Sequence, residues 1–124
     1  MLIFNQVCDS DYYQLIGSEY LEGGTLTQLL DKRQAGLNDL EESDIMKQIF
    51  EALIYLHMNN IIHRDLKPDN IMFKHKNDSN SLKLIDFGLG AKLSRGIQSY
   101  ANDCCGTIQF MAPELIEQKH YFHV

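Results

Sequence analysis

Residues Ile61–Asn70 read IIHRDLKPDN, and the rest of the chain is best understood outward from them. The stretch gathers two carboxylates (Asp65 and Asp69), the amide of Asn70 and the cations Arg64 and Lys67. Pro68 removes a backbone donor and biases Lys67 away from helical angles, so a non-helical loop is expected. A loop can turn Asp65, Lys67 and Asn70 toward one point. Ile61-Ile62 ahead of it and Ile71-Met72-Phe73 behind it read as short buried strands that clamp both ends. Rigid ends around a polar middle are the makings of a reaction site.

Downstream, Lys74–Ser81 is polar and carries Asn77-Asp78-Ser79-Asn80, the composition of a tight turn. Leu82-Lys83-Leu84-Ile85 alternates like a strand that delivers Asp86. The two strands should form a hairpin bringing Asn70 close to Asp86, as a shared hard cation would require. Upstream, Glu41–His57 reads as the principal core helix. Ile45, Ile49, Ala52, Leu53 and Leu56 recur at helical spacing, and Glu41, Glu42 and Asp44 crowd its start. Thr25–Arg33 reads as a shorter helix with Leu26, Leu29 and Leu30 on one face, and Lys32 and Arg33 suited to its dipole. Before it, Leu2–Val7 and Tyr12–Ser18 read as an antiparallel pair of strands joined at Asp9-Ser10-Asp11.

The chain has 124 residues, of which 44% are hydrophobic and 23% charged, the balance of a single globular unit. Its formal charge of −6, with scattered Lys and Arg, argues against a nucleic-acid or anionic-membrane partner. Cys8, Cys104 and Cys105 form neither a CxxC pair nor an even framework, and adjacent cysteines are poor disulfide partners. Reduced thiols in the cytoplasm or nucleus are expected. Met1–Phe4 is apolar but resembles neither a signal peptide nor a membrane span.

HRDLKPDN resembles the catalytic loop of eukaryotic protein kinases. Asp86-Phe87-Gly88 and Ala112-Pro113-Glu114 follow in that family's order. The resemblance implies an α+β fold and covers only the middle of a family domain, which is about twice this length. It would divide the chain into the end of the N-lobe sheet (1–18), the hinge (19–24) and the first half of the mainly helical C-lobe (25–124). The implied activity is transfer of the ATP γ-phosphate to a protein Ser or Thr hydroxyl, with ATP and Mg²⁺ as the cofactor pair. Asp65 would accept or orient the hydroxyl proton, Lys67 would screen the transferring phosphate, and Asn70 and Asp86 would hold the metal. Thr107 would reach back to Asp65 and Lys67. Glu19 and Leu21 would meet adenine through their main chain, with Met72 beside the nucleotide and Ser18 at the gate behind it. Lys67 matches the serine/threonine class, since tyrosine kinases resemble HRDLAARN or HRDLRAAN. His63 and Phe87 match an internal stacked column, with His63 structural. Arg64 matches an arginine that pairs with a phosphorylated activation segment; Asp103 stands where the phosphothreonine often sits, which suggests reduced dependence on phosphorylation.

The wording SLKLIDFGLGAKL is most similar to calcium/calmodulin-regulated and calcium-dependent kinases. No EF-hand loop or basic amphipathic calmodulin-target helix is present, so calcium control would lie outside this chain. Gly88-Leu89-Gly90 lacks the third glycine of a dinucleotide fingerprint, and His120 and His123 lack further zinc ligands. The family's Gly-rich loop, strand lysine and helix glutamate have no counterpart in the sequence. Two functions are therefore expected: part of an active kinase, or a catalytically inactive fragment acting as a binding or interfering module. Exposed apolar faces on the long helix and around Phe110 and Met111 are expected in either case, with marginal stability.

Overall fold

Asn38 starts the longest helix. Its side chain accepts from the Glu41 amide at 3.0 Å, and the Glu41 carboxylate accepts from the Asn38 amide at 3.2 Å. This reciprocal cap satisfies two donors that a helix start leaves orphaned. In the computed structural model, which describes residues 4–9, 14–33, 35–93 and 105–117, that helix (α2) runs Asp39–Met58. It begins earlier than the acidic cluster alone suggested. A shorter helix, α1 (Leu26–Lys32), is capped the same way by Thr25 and Gln28.

Among the described residues the strands form three antiparallel ribbons. The first pairs β1 (Phe4–Asp9) with β2 (Gln14–Ser18); the residues of the turn between them lie outside those described. The second pairs β3 (Ile61–Ile62) with β6 (Ala91–Lys92). The third pairs β4 (Ile71–Phe73) with β5 (Leu82–Leu84) in the register Ile71↔Leu84, Met72↔Lys83 and Phe73↔Leu82. A short helix, α3 (Pro113–Ile116), closes the described chain. The result is the expected α+β mixture. Among the described residues no helix is long and apolar enough to cross a membrane.

The core lies where α2 crosses the β4–β5 ribbon. Ile45, Ile49 and Leu56 from α2 pack with Leu26, Ile71, Phe73 and Leu84, and Leu84 is only 1% exposed. Burial of each such side chain contributes about 1.5–3 kcal/mol. Ala52 and Leu53 pack at the edge of this cluster. Leu30, expected beside Leu26 and Leu29, is instead exposed at the end of the short α1. The opposite face of α2 presents Met46, Phe50, Ile54, Tyr55 and Met58 to solvent, and Phe110 is exposed as well. The bare apolar face expected on the long helix is therefore present, and Phe110 is exposed as expected, whereas Met111 is half-buried in a cleft.

Residues 19–24 run from β2 to α1 alongside β4. The amides of Glu22 and Gly23 donate to the Lys74 and Phe73 carbonyls at 3.1 and 3.0 Å, and the Phe73 amide donates to the Gly24 carbonyl at 3.0 Å. A Cβ on Gly23 would stand 2.5 Å from the His75 carbonyl oxygen, so this close approach admits only glycine.

Candidate active site

β3 and β4 grip the two ends of the 61–70 stretch, β4 through the buried Ile71 and Phe73, whereas β3 is only half-buried and not the buried strand its apolar pair suggested. Between them the chain turns sharply at Arg64, whose φ of 66° is left-handed. One correction applies to the expected loop: Pro68–Asn70 forms a single 3-10 turn. Proline is excluded from helix interiors but suits a first helical position, where its missing N–H has no partner to lose.

This turn aims Asn70 back at Asp65. Asn70 is 5% exposed, and its Nδ2 donates to the Asp65 carbonyl at 2.8 Å and to Asp65 Oδ2 at 3.0 Å. Lys67 Nζ lies 2.8 Å from the same Oδ2. The other carboxylate oxygen, Oδ1, accepts from the Thr107 amide at 2.9 Å and from the Thr107 hydroxyl at 2.7 Å. Lys67 Nζ also donates to Thr107 Oγ1 at 2.9 Å, closing the ring. The structure thus brings Asp65, Lys67, Asn70 and Thr107 into one network, although Thr107 is 42 positions from Asp65 in sequence.

These bonds, led by that of Lys67 and then that of Thr107, lower the Asp65 pKa from 3.8 to about 2 against the opposing effect of burial. The Lys67 ammonium is raised in turn, first by its hydrogen bond to Asp65, with the charges of Asp69 and Asp86 adding to it. At neutral pH both groups are charged.

His63, 3% exposed, sets the backbone beneath Asp65. The Asp65 amide donates to Nδ1 at 3.3 Å and Nε2 lies 2.9 Å from the Ile85 carbonyl, a pair of contacts satisfied by the Nε2–H tautomer. Its ring meets that of Phe87 with centroids 4.7 Å apart. His63 is therefore a structural histidine that ties the loop to the strand leading into Asp86.

Asp86 is placed by the β4–β5 hairpin. The Ile85 amide donates to the Asn70 carbonyl at 2.9 Å, which makes the residues before Asp86 neighbours of Asn70. Asp86 is exposed, takes a left-handed φ of 58°, and accepts from the Gly88 amide through Oδ1. Asn70 Oδ1 has no hydrogen-bond partner among the described residues, although the side chain is buried and its Nδ2 bonds twice. A buried carbonyl oxygen left unbonded among the described residues, at the end of the hairpin that also carries the exposed Asp86, suits a hard cation that takes a few protein oxygens and keeps water and phosphate as its other ligands.

The residues expected to meet a nucleotide lie along the 19–24 segment and β4. Leu21 is buried and Met72 is half-buried opposite Lys83, while the Glu19 side chain sits between Lys74 and Lys83. The two lysines were not singled out from the sequence, because only the strand register places them there. Gly106 was also passed over. Its φ is 114°, and a Cβ would stand 2.5 Å from the Arg64 carbonyl oxygen, so glycine lets the Thr107 segment touch the loop. A cleft lined by Ile62, Leu66, Cys105, Phe110 and Met111 opens beside Asp65 and Thr107. Arg64 Nε donates to the Leu89 carbonyl, and Glu114 is exposed, free of the burial that would penalise its charge. Asp103, Cys104, His120 and His123 lie outside the described residues.

A loop that crosses a carboxylate with a lysine, beside an amide and a second carboxylate from a hairpin, defines a class. The chain belongs to the protein kinase domain family, which matches residues 2–124. It is 40% identical over 108 residues to inhibitor of nuclear factor kappa-B kinase subunit alpha of Xenopus laevis, a match covering 86% of this chain and 14% of that protein. The corresponding beta subunits of Bos taurus and Mus musculus are each 39% identical over 109 residues, with the same coverage. The chain thus spans about 14% of the length of these relatives. They are inhibitor of nuclear factor kappa-B kinase subunits and not calcium/calmodulin kinases, which corrects the subgroup suggested by the wording around Asp86. Short motif wording around one loop does not by itself resolve a subgroup.

Proposed function

We propose that this chain carries the phosphate-transfer centre of a serine/threonine protein kinase, acting within a longer catalytic domain. In that reading residues 1–18 end the N-lobe sheet, 19–24 are the hinge and 25–124 begin the C-lobe. ATP and magnesium are the cofactor pair, and the acceptor is a protein Ser or Thr hydroxyl. The observation that carries it is the saturated Asp65 carboxylate, held by Lys67, Asn70 and Thr107, with Asn70 Oδ1 left without a partner among the described residues.

With a pKa near 2, Asp65 is too weak a base to remove a hydroxyl proton ahead of transfer. Its role is orientation: it accepts a hydrogen bond from the incoming hydroxyl and aligns the oxygen. Its acceptor sites are already engaged, so the Thr107 hydroxyl or Lys67 gives way as the substrate arrives. Lys67, drawn to Asp65 and close enough to feel Asp69 and Asp86, stands where negative charge on a transferring phosphate would be screened. Asn70 Oδ1 and Asp86 would hold magnesium, which would neutralise triphosphate charge. Glu19 and Leu21 would offer main-chain groups to adenine, with Met72 beneath it.

The test is Mg²⁺-dependent ATP binding, and phosphorylation of Ser/Thr and Tyr peptides, by this chain beside one extended at both ends. Activity toward Ser/Thr peptides in the extended chain supports the proposal; preference for Tyr or silence in both refutes it. The exposed α2 face favours a second reading, a catalytically inactive fragment that binds or interferes with other proteins. Silence in both chains together with specific partner capture through α2 would select it.

A further inference from the structure

Glu19 follows β2 directly, and its carboxylate faces two cations of the β4–β5 hairpin. Oε2 lies 3.5 Å from Lys74 Nζ, and Oε1 lies 3.6 Å from Lys83 Nζ. The lysines lie on opposite arms of the hairpin: Lys74 directly follows β4, and Lys83 lies in β5 opposite Met72. The carboxylate therefore straddles the ribbon. The Glu19 side chain is only 11% exposed, so it is screened less than an ordinary surface charge. A few residues on, the Glu22 and Gly23 amides bond to the Lys74 and Phe73 carbonyls. Segment 19–24 is thus fastened twice, ionically at its start and through its main chain further along.

The other end of the same hairpin carries Asn70 and Asp86, held together by the Ile85–Asn70 backbone bond. The ribbon is in effect a spacer between the 19–24 main chain and those two oxygen donors. We infer that Glu19 is a positioning residue whose side chain, through Lys74 and Lys83, sets the 19–24 main chain at a fixed distance from the Asn70–Asp86 end, and so tunes nucleotide affinity. This rests on the reading of that segment as adenine-binding. It adds a role for the Glu19 side chain, distinct from that proposed for its main chain. Both contacts are longer than a charge-assisted hydrogen bond, so the carboxylate is shared between the lysines instead of locked to one. Loss of either lysine alone leaves the other in place.

The experiment uses the 124-residue chain with Glu19→Gln, Lys74→Met, Lys83→Met, the double lysine variant, and the swap Glu19→Lys with Lys83→Glu. Amide hydrogen exchange is read at Glu22 and Gly23 without nucleotide, and the dissociation constant for Mg²⁺-ATP is measured separately. Glu19→Gln and the double lysine variant should speed exchange at those amides and weaken Mg²⁺-ATP by about three- to ten-fold, the scale of a partly screened ion pair. Single lysine variants should lose less, and the swap should recover part of the loss. Exchange at Leu84 reports the core and should not change. Unaltered exchange in Glu19→Gln overturns the fastening whether or not nucleotide binds. Faster exchange with unchanged nucleotide affinity overturns the positioning role. Absence of Mg²⁺-ATP binding both in the 124-residue chain and in one extended at both ends, with a response in exchange, refutes the adenine reading and with it the effect on affinity, while leaving the ion pairs demonstrated.

Discussion

Replacing Thr107 with valine tests whether the Asp65 network holds charge in the way its geometry indicates. The hydroxyl donates to Asp65 Oδ1 at 2.7 Å and accepts from Lys67 Nζ at 2.9 Å, whereas the Thr107 amide, 2.9 Å from the same oxygen, survives the change. Asp65 has a folded pKa of about 2 against 3.8 unfolded, so its contribution to stability is complete above about pH 4 and lost as pH falls toward 2. A shift of that size corresponds to about 2 kcal/mol, and solvent screening reduces it to about 1 kcal/mol. Thr107 ranks second to Lys67 among its causes. Thr107→Val should therefore raise the Asp65 pKa partway to 3.8, flatten the acid limb of the stability curve and cost about 0.5 kcal/mol at pH 7. Thr107→Ser keeps the hydroxyl and should behave as wild type. Urea midpoints from pH 2 to 7 and a carboxyl-carbon NMR titration of Asp65 provide the two measurements. An Asp65 titration midpoint that does not move in Thr107→Val would refute the reasoning, because the hydroxyl would then carry no weight in the network.

Other perturbations probe separate parts of the molecule. Asp86→Asn should leave the thermal midpoint within about a degree of wild type, since the side chain is exposed and Asn tolerates left-handed angles, yet weaken Mg²⁺-dependent ATP binding at least about ten-fold by titration calorimetry. Gly23→Ala should lower the urea midpoint by an amount equivalent to about 2 kcal/mol, because its Cβ would overlap the Phe73 and His75 backbone. Asn38→Ala should remove the α2 cap at a cost of about 1 kcal/mol, read from the same denaturation curves. Ile54→Glu on the open face of α2 should leave the unfolding midpoint nearly unchanged and reduce self-association in light scattering; a large loss of stability would mean that the face is already covered.

Much of this arrangement is written locally. Ile71–Phe73 and Leu82–Leu84 are short apolar runs on either side of a polar turn, so their pairing follows from composition and proximity. Asp65, Lys67 and Asn70 share one loop, and a proline within it narrows the backbone choices. The start of α2 is also legible, but in the Asn38/Glu41 spacing rather than in the acidic cluster. What stayed hidden depends on distant partners. Ala91–Lys92 has no strand pattern of its own and becomes β6 only by pairing with Ile61–Ile62. Thr107 could be assigned to Asp65 through family resemblance alone, since nothing near it in the chain points to a carboxylate 42 positions away. The Glu19 contacts require the register that sets Lys83 opposite Met72, and no periodicity encodes that choice.

Gln48 ties α2 to the entrance of β5. Its Oε1 accepts from the Leu82 amide at 3.1 Å, and its Nε2 donates to the Ser79 carbonyl at 2.7 Å. A helix side chain thereby imitates the next strand at the entrance to β5 and occupies backbone groups that a foreign chain would otherwise zip onto. If the bare side of α2 draws copies of this protein together, they should therefore gather through greasy surfaces into amorphous clusters and not stack into fibrils; Gln48→Leu would open the route to ordered, dye-binding aggregates.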